Sequence, residues 1–351
     1  MTDLIAQAVQ VLRSGDLVAI PTETVYGLAA DASNPVAINK IFSTKGRPAG
    51  HPLIVHIANP IRSQRTQEER CLIWEEALSV WARDVPTEAL ILADIFWPGP
   101  LTIILPKAKQ VLPEITGGQE TVGLRCPNHP VALELLKRFE GGLAAPSANK
   151  FGHVSPTTAE HVRDEFSGLL VLDGGACDVG IESTIVDLTR LDSVGPVVLR
   201  PGAISEEQIH DALGISQRSV PLVALSSDIP RVSGSLSAHY APRTKLILYR
   251  DDLVLLLNEI KQAKQVTRKI AWVHFGDVSK AVLPVDATLP AYSEFILPNT
   301  PVDLARNLYA MLRSIDKSGC DLILFQALPE GAPWDAVRDR LSRAAVGSGI
   351  V

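Results

Sequence analysis

The chain has 351 residues, with 33 Lys and Arg set against 39 Asp and Glu, a formal net charge of −6. That balance argues against broad affinity for nucleic-acid backbone, which needs a dense basic surface, and leaves room only for a local basic cleft, while the length predicts two domains rather than one core. With 46% hydrophobic and 5% aromatic residues, and no apolar run long enough to span a bilayer, the composition is that of an ordinary α/β protein.

The first residues, MTDLIAQAVQVLRSGD, place Leu4, Ile5, Ala8, Val9 and Leu12 at helical spacing. They read as an amphipathic helix ending near Gly15 and not as a signal peptide, so a cytoplasmic protein is expected. A strand from Leu17 to Ile20 then meets Pro21, which stops ladder pairing. Thr22, Glu23, Thr24 and Tyr26 follow, with Gly27 free to take backbone angles that other residues avoid. Pro35 to Phe42 reads as a helix capped by Asn34, and Lys45 and Arg47 sit on the glycine-flanked loop after it. Leu53 to Ile57 is a buried strand carrying His56. Ile61 to Glu76 is a charged stretch, including Arg62, read as a solvated helical face. Pro86 to Phe96 is a helix, Trp97-Pro98-Gly99-Pro100 a rigid turn, and Leu101 to Leu105 a strand. Thr121 to Arg125 is a strand and Pro130 to Phe139 a helix.

The join LAAPSANK, with Ser147 and Asn149 after Pro146, repeats the strand–Pro–small-polar design of IPTETVYG. Ser155 is expected to cap a helix running to about Phe166, with Glu160 at the capping-box position. Strands over Leu170 to Leu172, Thr184 to Leu188 and Val197 to Leu199 follow, and Glu206 to Leu213 is a helix. Ser226 to Thr244, SSDIPRVSGSLSAHYAPRT, has the composition of a linker, yet it carries His239, Tyr240 and Arg243. The expected organisation is therefore a domain over 1–225, a linker over 226–244 and a second domain over 245–351. The latter begins with strand LILY, a helix through Leu257 and strand AWVHF. It continues with a strand near FIL, a helix Val302 to Ile315, a strand Leu322 to Phe325 and a helix Trp334 to Ala345. That order makes a small Rossmann-like α/β unit without a GxGxxG fingerprint.

In the first domain, Thr24, Lys45, Arg47, His56, Arg125, Ser147, Asn149, Ser155, Ser183 and Arg200 lie mostly just beyond apolar strands. A twisted open sheet could gather them into one concave site. Cations and hydroxyls, with Glu23 and Glu182 nearby, suit phosphates and carboxylates. No P-loop, GxSxG or HExxH pattern occurs. Cys71, Cys126, Cys177 and Cys320 include no CxxC pair, and His51 and His56 lack the partners of a metal site, so no metal site is assigned.

PTETVYGL, KGRP with HPLIVHI, FWPGPLTIIL, TVGLRCP, APSAN, GIESTIVD, LRPG and HYAP occur in that order. Together they resemble the threonylcarbamoyl-adenylate synthase family in its long form, strongly to about residue 244 and by arrangement beyond it. The resemblance implies a YrdC-like catalytic domain and a C-terminal Rossmann-like domain. It implies synthesis of threonylcarbamoyl-AMP and pyrophosphate from L-threonine, bicarbonate and ATP with Mg²⁺. The product would pass to a transfer complex that modifies the adenosine beside the anticodon of tRNA, and because the adenylate is labile in water the 226–244 linker with Tyr240 is the expected lid. By position it implies Thr24, His56, Arg125, Ala145 and Ser183 around threonine. Arg47, His51, Thr121, Ser147, Ser155, Arg200 and Tyr240 are implied around ATP, with Lys45 and Arg47 offsetting charge in the reaction. The family often has Asn at position 51, where this chain has His, and the charged 61–76 stretch is longer than usual. Other classes consistent with the same residues are an RNA-binding module and a nucleotide sensor without turnover.

Overall fold

The computed structural model describes residues 2–61, 65–215, 229–250, 269–276 and 291–349. Arg62, Ser226 and the helix expected through Leu257 lie outside the described residues. The chain divides into two compact units, one of Met1–Phe151 with Ser155–Ser235, the other of Gly152–Val154 with Leu236–Val351.

The first unit is built on strands β1 (Val18–Ile20), β2 (Gly27–Asp31), β3 (Ile54–His56), β4 (Leu101–Pro106), β5 (Thr121–Arg125), β6 (Leu143–Ala144), β7 (Leu170–Val171), β8 (Thr184–Asp187) and β9 (Val197–Arg200). They form one nine-stranded sheet in the order β7-β1-β2-β6-β3-β5-β4-β8-β9. The sheet is mixed: β3 runs parallel to β5, and β4 runs parallel to β8 but antiparallel to β5. An open, twisted α/β sheet is thus the architecture, with antiparallel joins that the strand spacing did not reveal.

One of those joins lies at Gly27, where the freedom of glycine is not used. Gly27 does not take special backbone angles; it starts β2, which folds back antiparallel on β1. The turn is closed by Thr22, whose Oγ1 accepts from the amides of Thr24 and Val25 and donates to the Val25 carbonyl. Glycine is needed at 27 for room, because a Cβ there would lie 3.2 Å from the Ala145 Cβ.

Helices follow their sequence signals closely. Thr2–Arg13 buries Ile5, Ala8, Val9 and Leu12. Pro35–Lys45 is capped by the Asn34 side chain and ends at Gly46 in left-handed conformation. Lys45 therefore ends a helix rather than sitting on a loop. The charged stretch becomes helical at Gln67–Ser79 under a Thr66/Glu69 capping box. Trp74, packed edge-on against Trp97 at 5.3 Å, pins that helix to the core.

The second unit holds β10 (Lys245–Tyr249), β11 (Lys269–Phe275), β12 (Ala291–Leu297) and β13 (Leu322–Gln326) in an all-parallel sheet ordered β10-β13-β11-β12. Helices Pro301–Lys317 and Asp335–Gly347 accompany it, as the Rossmann-like reading expects. Tyr240 belongs to this unit. It is 1% exposed, stacks on Tyr309 at 5.8 Å and lies beneath the Arg340 guanidinium.

Packing at the end of β9 is tight enough to test. A Cβ on Gly202 would fall 2.4 Å from the main-chain nitrogen of Thr184, so main chain and not a flexible side chain must yield. Gly202→Ala is expected to destabilise the first unit by about 1–3 kcal/mol in urea unfolding. An unchanged midpoint would show that this join is slack.

Candidate active site

The sheet brings His56 and Arg125 side by side, as register partners on parallel β3 and β5. Arg125 is 4% exposed and its Nη2 lies 2.8 Å from Glu23 Oε1, delivered by the β1–β2 turn. Thr24, wholly buried, shares a 2.9 Å hydroxyl contact with Thr22 in the same turn. Burial, then the adjacent Arg125 charge, push the His56 imidazole down to about 3, against main-chain contacts to Ile54 and Leu143. His56 is therefore neutral at ordinary pH, and its Nδ1 has no hydrogen-bond partner. Neutral imidazole nitrogen, guanidinium and carboxylate thus stand together away from water.

A second group gathers around Ser233. Arg47 Nη2 reaches the Pro52 carbonyl at 2.9 Å and Ser233 Oγ at 3.5 Å. Arg200 donates to the Ser233 carbonyl at 2.9 Å and grips the Ser183 carbonyl and hydroxyl. Ser183 Oγ in turn meets Thr102 Oγ1 on β4 at 2.8 Å. Arg231 donates to the Gly117 carbonyl, and Val232 packs with Ile104 and Ile185. A small cavity of about 20 Å³ lies between Arg231, Val232 and Ser233 on one side and Ile54, Thr121 and Ile185 on the other. Ser233 had no signal in the sequence: it lies in a Ser-, Pro- and Gly-rich run that composition alone marks as spacer.

Lys45 is 2% exposed, and its ammonium donates at 2.5 Å to the carbonyls of Ser147 and Asn149. Burial and then Arg47 push it down, well below an ordinary lysine. It ties the helix end to the APSAN join, which also meets Gly27 through a Ser147 bridge. Ala145 donates its amide to the Ile54 carbonyl, so it touches β3 through main chain. His51 packs its ring edge on Phe151 at 5.4 Å, and burial, with Arg47 and Arg231, lowers its proton affinity.

Ser155 is not the helix cap. Thr158 caps Ala159–Glu165, and Ser155, wholly buried, donates at 2.6 Å to Glu182. A serine freed from capping and aimed at the acid beside Ser183 joins the site from an unexpected direction. Thr24, Lys45, Arg47, His51, His56, Thr121, Arg125, Ala145, Ser147, Ser155, Ser183 and Arg200 all belong to the first unit, with His56, Thr121, Arg125 and Arg200 on strands of its sheet and the others on turns or a helix end, while Tyr240 belongs to the second. A groove of about 600 Å³ lined by Asp16, Lys40, Thr44, Lys150, Glu165 and Phe166 holds none of them. Among the described residues no group of three or more His, Cys, Asp and Glu could hold a metal ion, and no helix is long and apolar enough to cross a membrane.

Buried guanidinium groups beside hydroxyls and the carboxylates of Glu23 and Glu182 give the first unit, an α/β domain, a polar interior suited to anions. Residues 10–202 match the family profile Sua5_yciO_yrdC, described as telomere recombination, and residues 204–346 match Sua5_C, described as threonylcarbamoyl-AMP synthase, C-terminal domain. The chain belongs to the threonylcarbamoyl-AMP synthase family. It is 39% identical over 340 residues to the threonylcarbamoyl-AMP synthase of Pyrococcus abyssi, covering 95% of this chain and 92% of that one. It is 36% identical to the Bacillus subtilis enzyme of that name, over 98% and 93% of the two chains. The crystal structure of P. abyssi Sua5 complexed with L-threonine superposes with a TM-score of 0.79 at 36% identity, over 98% of this chain and 94% of that one.

The neutral His56 gives a pH prediction. An unfolded histidine titrates near 6.5, whereas this one titrates at about 3. Between those values the unfolded chain holds more protons, so stability falls as pH drops through the window. Thermal midpoints should decline from pH 6.5 towards 4, and His56→Asn should flatten that slope. Equal slopes in both proteins would mean that His56 is charged in the fold.

Proposed function

We propose that the chain is an L-threonylcarbamoyladenylate synthase, which joins L-threonine, bicarbonate and ATP into threonylcarbamoyl-AMP with release of pyrophosphate. The observation that carries this reading is the burial of Arg47, Arg125 and Arg200 in one domain, in a chain similar over 95% of its length to a synthase of that name. Arg125 suits the threonine carboxylate, and neutral His56 with Thr24 suits its hydroxyl. Arg47 and Arg200, with Thr121, Ser147 and Ser155 nearby, suit the triphosphate; His51 and Tyr240 are the remaining nucleotide candidates.

The chemistry asks for this kind of site. The threonine amine takes up bicarbonate-derived carbon to give a carbamate, and a carbamate oxygen displaces pyrophosphate from the α-phosphorus of ATP. Two anions must be brought together, so positioning and charge neutralisation matter more than a protein nucleophile. Lys45 contributes by fixing the APSAN join and by placing its charge next to Arg47. Mg²⁺ enters with the nucleotide, as part of its substrate form. Because the adenylate is labile in water, the segment around Val232 acts as a lid that lifts for ATP and then closes. Delivery to a complex that modifies tRNA beside the anticodon, in the cytoplasm, completes the reading.

A pyrophosphate-release assay tests it. Release should require ATP, Mg²⁺, L-threonine and bicarbonate together, and equal release without threonine would overturn the synthase reading in favour of simple ATP hydrolysis. Arg47→Ala should lower turnover by about two orders of magnitude, the usual loss for a transition-state charge partner. Val232→Asp, which spoils the apolar seat on Ile104 and Ile185, should uncouple ATP consumption from product. Tight coupling in that variant would remove the lid.

A further inference from the structure

We propose that Glu23 receives the α-ammonium group of the amino-acid substrate, so that Glu23 and Arg125 form a paired receptor for a zwitterion. The proposal rests on the reading above, that threonine enters beside Arg125. Glu23 is 5% exposed and neither of its carboxylate oxygens has a hydrogen-bond partner. Arg125 Nη2, 2.8 Å away, likewise carries no aligned hydrogen bond, although its Nε donates to the Gly99 carbonyl. The two charges face each other with unused capacity on both.

Nearby groups do not fill that capacity. The Thr22 and Thr24 hydroxyls are engaged with each other and with the turn's main chain. The Glu23 carbonyl accepts from the Val179 amide at 2.7 Å, which anchors the residue's backbone. Burial first, and the Glu23 charge second, hold the Cys126 and Cys177 thiols up, so neither competes as an anion.

A carboxylate has about four acceptor positions, and an ammonium supplies three donors. A buried ion pair whose remaining acceptors are unfilled stabilises a fold poorly. A ligand with only a carboxylate would satisfy Arg125 while bringing its own charge against Glu23. An α-amino acid satisfies both partners at once. Glu23 is thus the residue that distinguishes an amino acid from the corresponding hydroxy acid, a distinction the reaction requires because nitrogen must become the carbamate.

Isothermal titration of the full chain without nucleotide tests this, using L-threonine and the 2,3-dihydroxybutanoate of the same configuration. The unaltered protein should prefer threonine by about tenfold or more. Glu23→Gln should erase that preference by weakening threonine while leaving the hydroxy acid unchanged or tighter. Glu23→Asp, a second variant should the first fail to fold, should keep the ammonium preference. Equal weakening of both ligands in either variant, or no change with glutamine, would overturn the proposal and leave Glu23 as a support for Arg125. Failure of the unaltered protein to bind threonine would instead strike the reading beneath it.

Discussion

Four cations buried in one domain set the terms for the rest of this structure: Lys45, Arg47, Arg125 and Arg200 are 2%, 6%, 4% and 3% exposed. A charge taken out of water is costly unless it is paired or hydrogen-bonded. Each cation therefore recruits main chain or acid from a different part of the sequence. Lys45 draws in the carbonyls of the APSAN join, Arg125 the acid of the β1–β2 turn, and Arg200 the carbonyls of Ser183 and Ser233. The loops that shape the cleft are held by these contacts as much as by the apolar core.

The mixed sheet explains why residues so far apart in sequence meet. Hairpin return at Gly27 places the β1–β2 turn beside β6, and the order β6-β3-β5-β4-β8 lays His56, Arg125, Thr102 and Ser183 across adjoining strands. An all-parallel sheet would have aimed the ends of β4 and β5 the same way. Here the antiparallel β4–β5 join brings the start of one beside the end of the other.

Elements with local signals were legible in the sequence. Asn34-Pro35 fixed one helix start, and Pro130–Phe139 and Glu206–Leu213 fall where their caps and spacing put them. The position of His56, Arg125 and Arg200 at strand ends was legible too, since each closes a short apolar run and ends β3, β5 and β9 in the fold. What could not be read depends on tertiary contact. Thr158 outcompetes Ser155 as cap only because Ser155 finds Glu182 across the fold. Gly27 is glycine because Ala145, more than a hundred residues away, approaches it. The Arg125–Glu23 pair and the seating of Ser233 are likewise long-range, and nothing in either local sequence announces them.

The central claim is that these buried cations gather a carbamate and a nucleotide so that the two become covalently joined. Mass spectrometry of a reaction run with ¹³C-bicarbonate tests it directly. The account predicts an adduct of threonine and AMP carrying one heavy carbon in its carbamoyl group. An AMP product without threonine, or an adduct without the label, would contradict it.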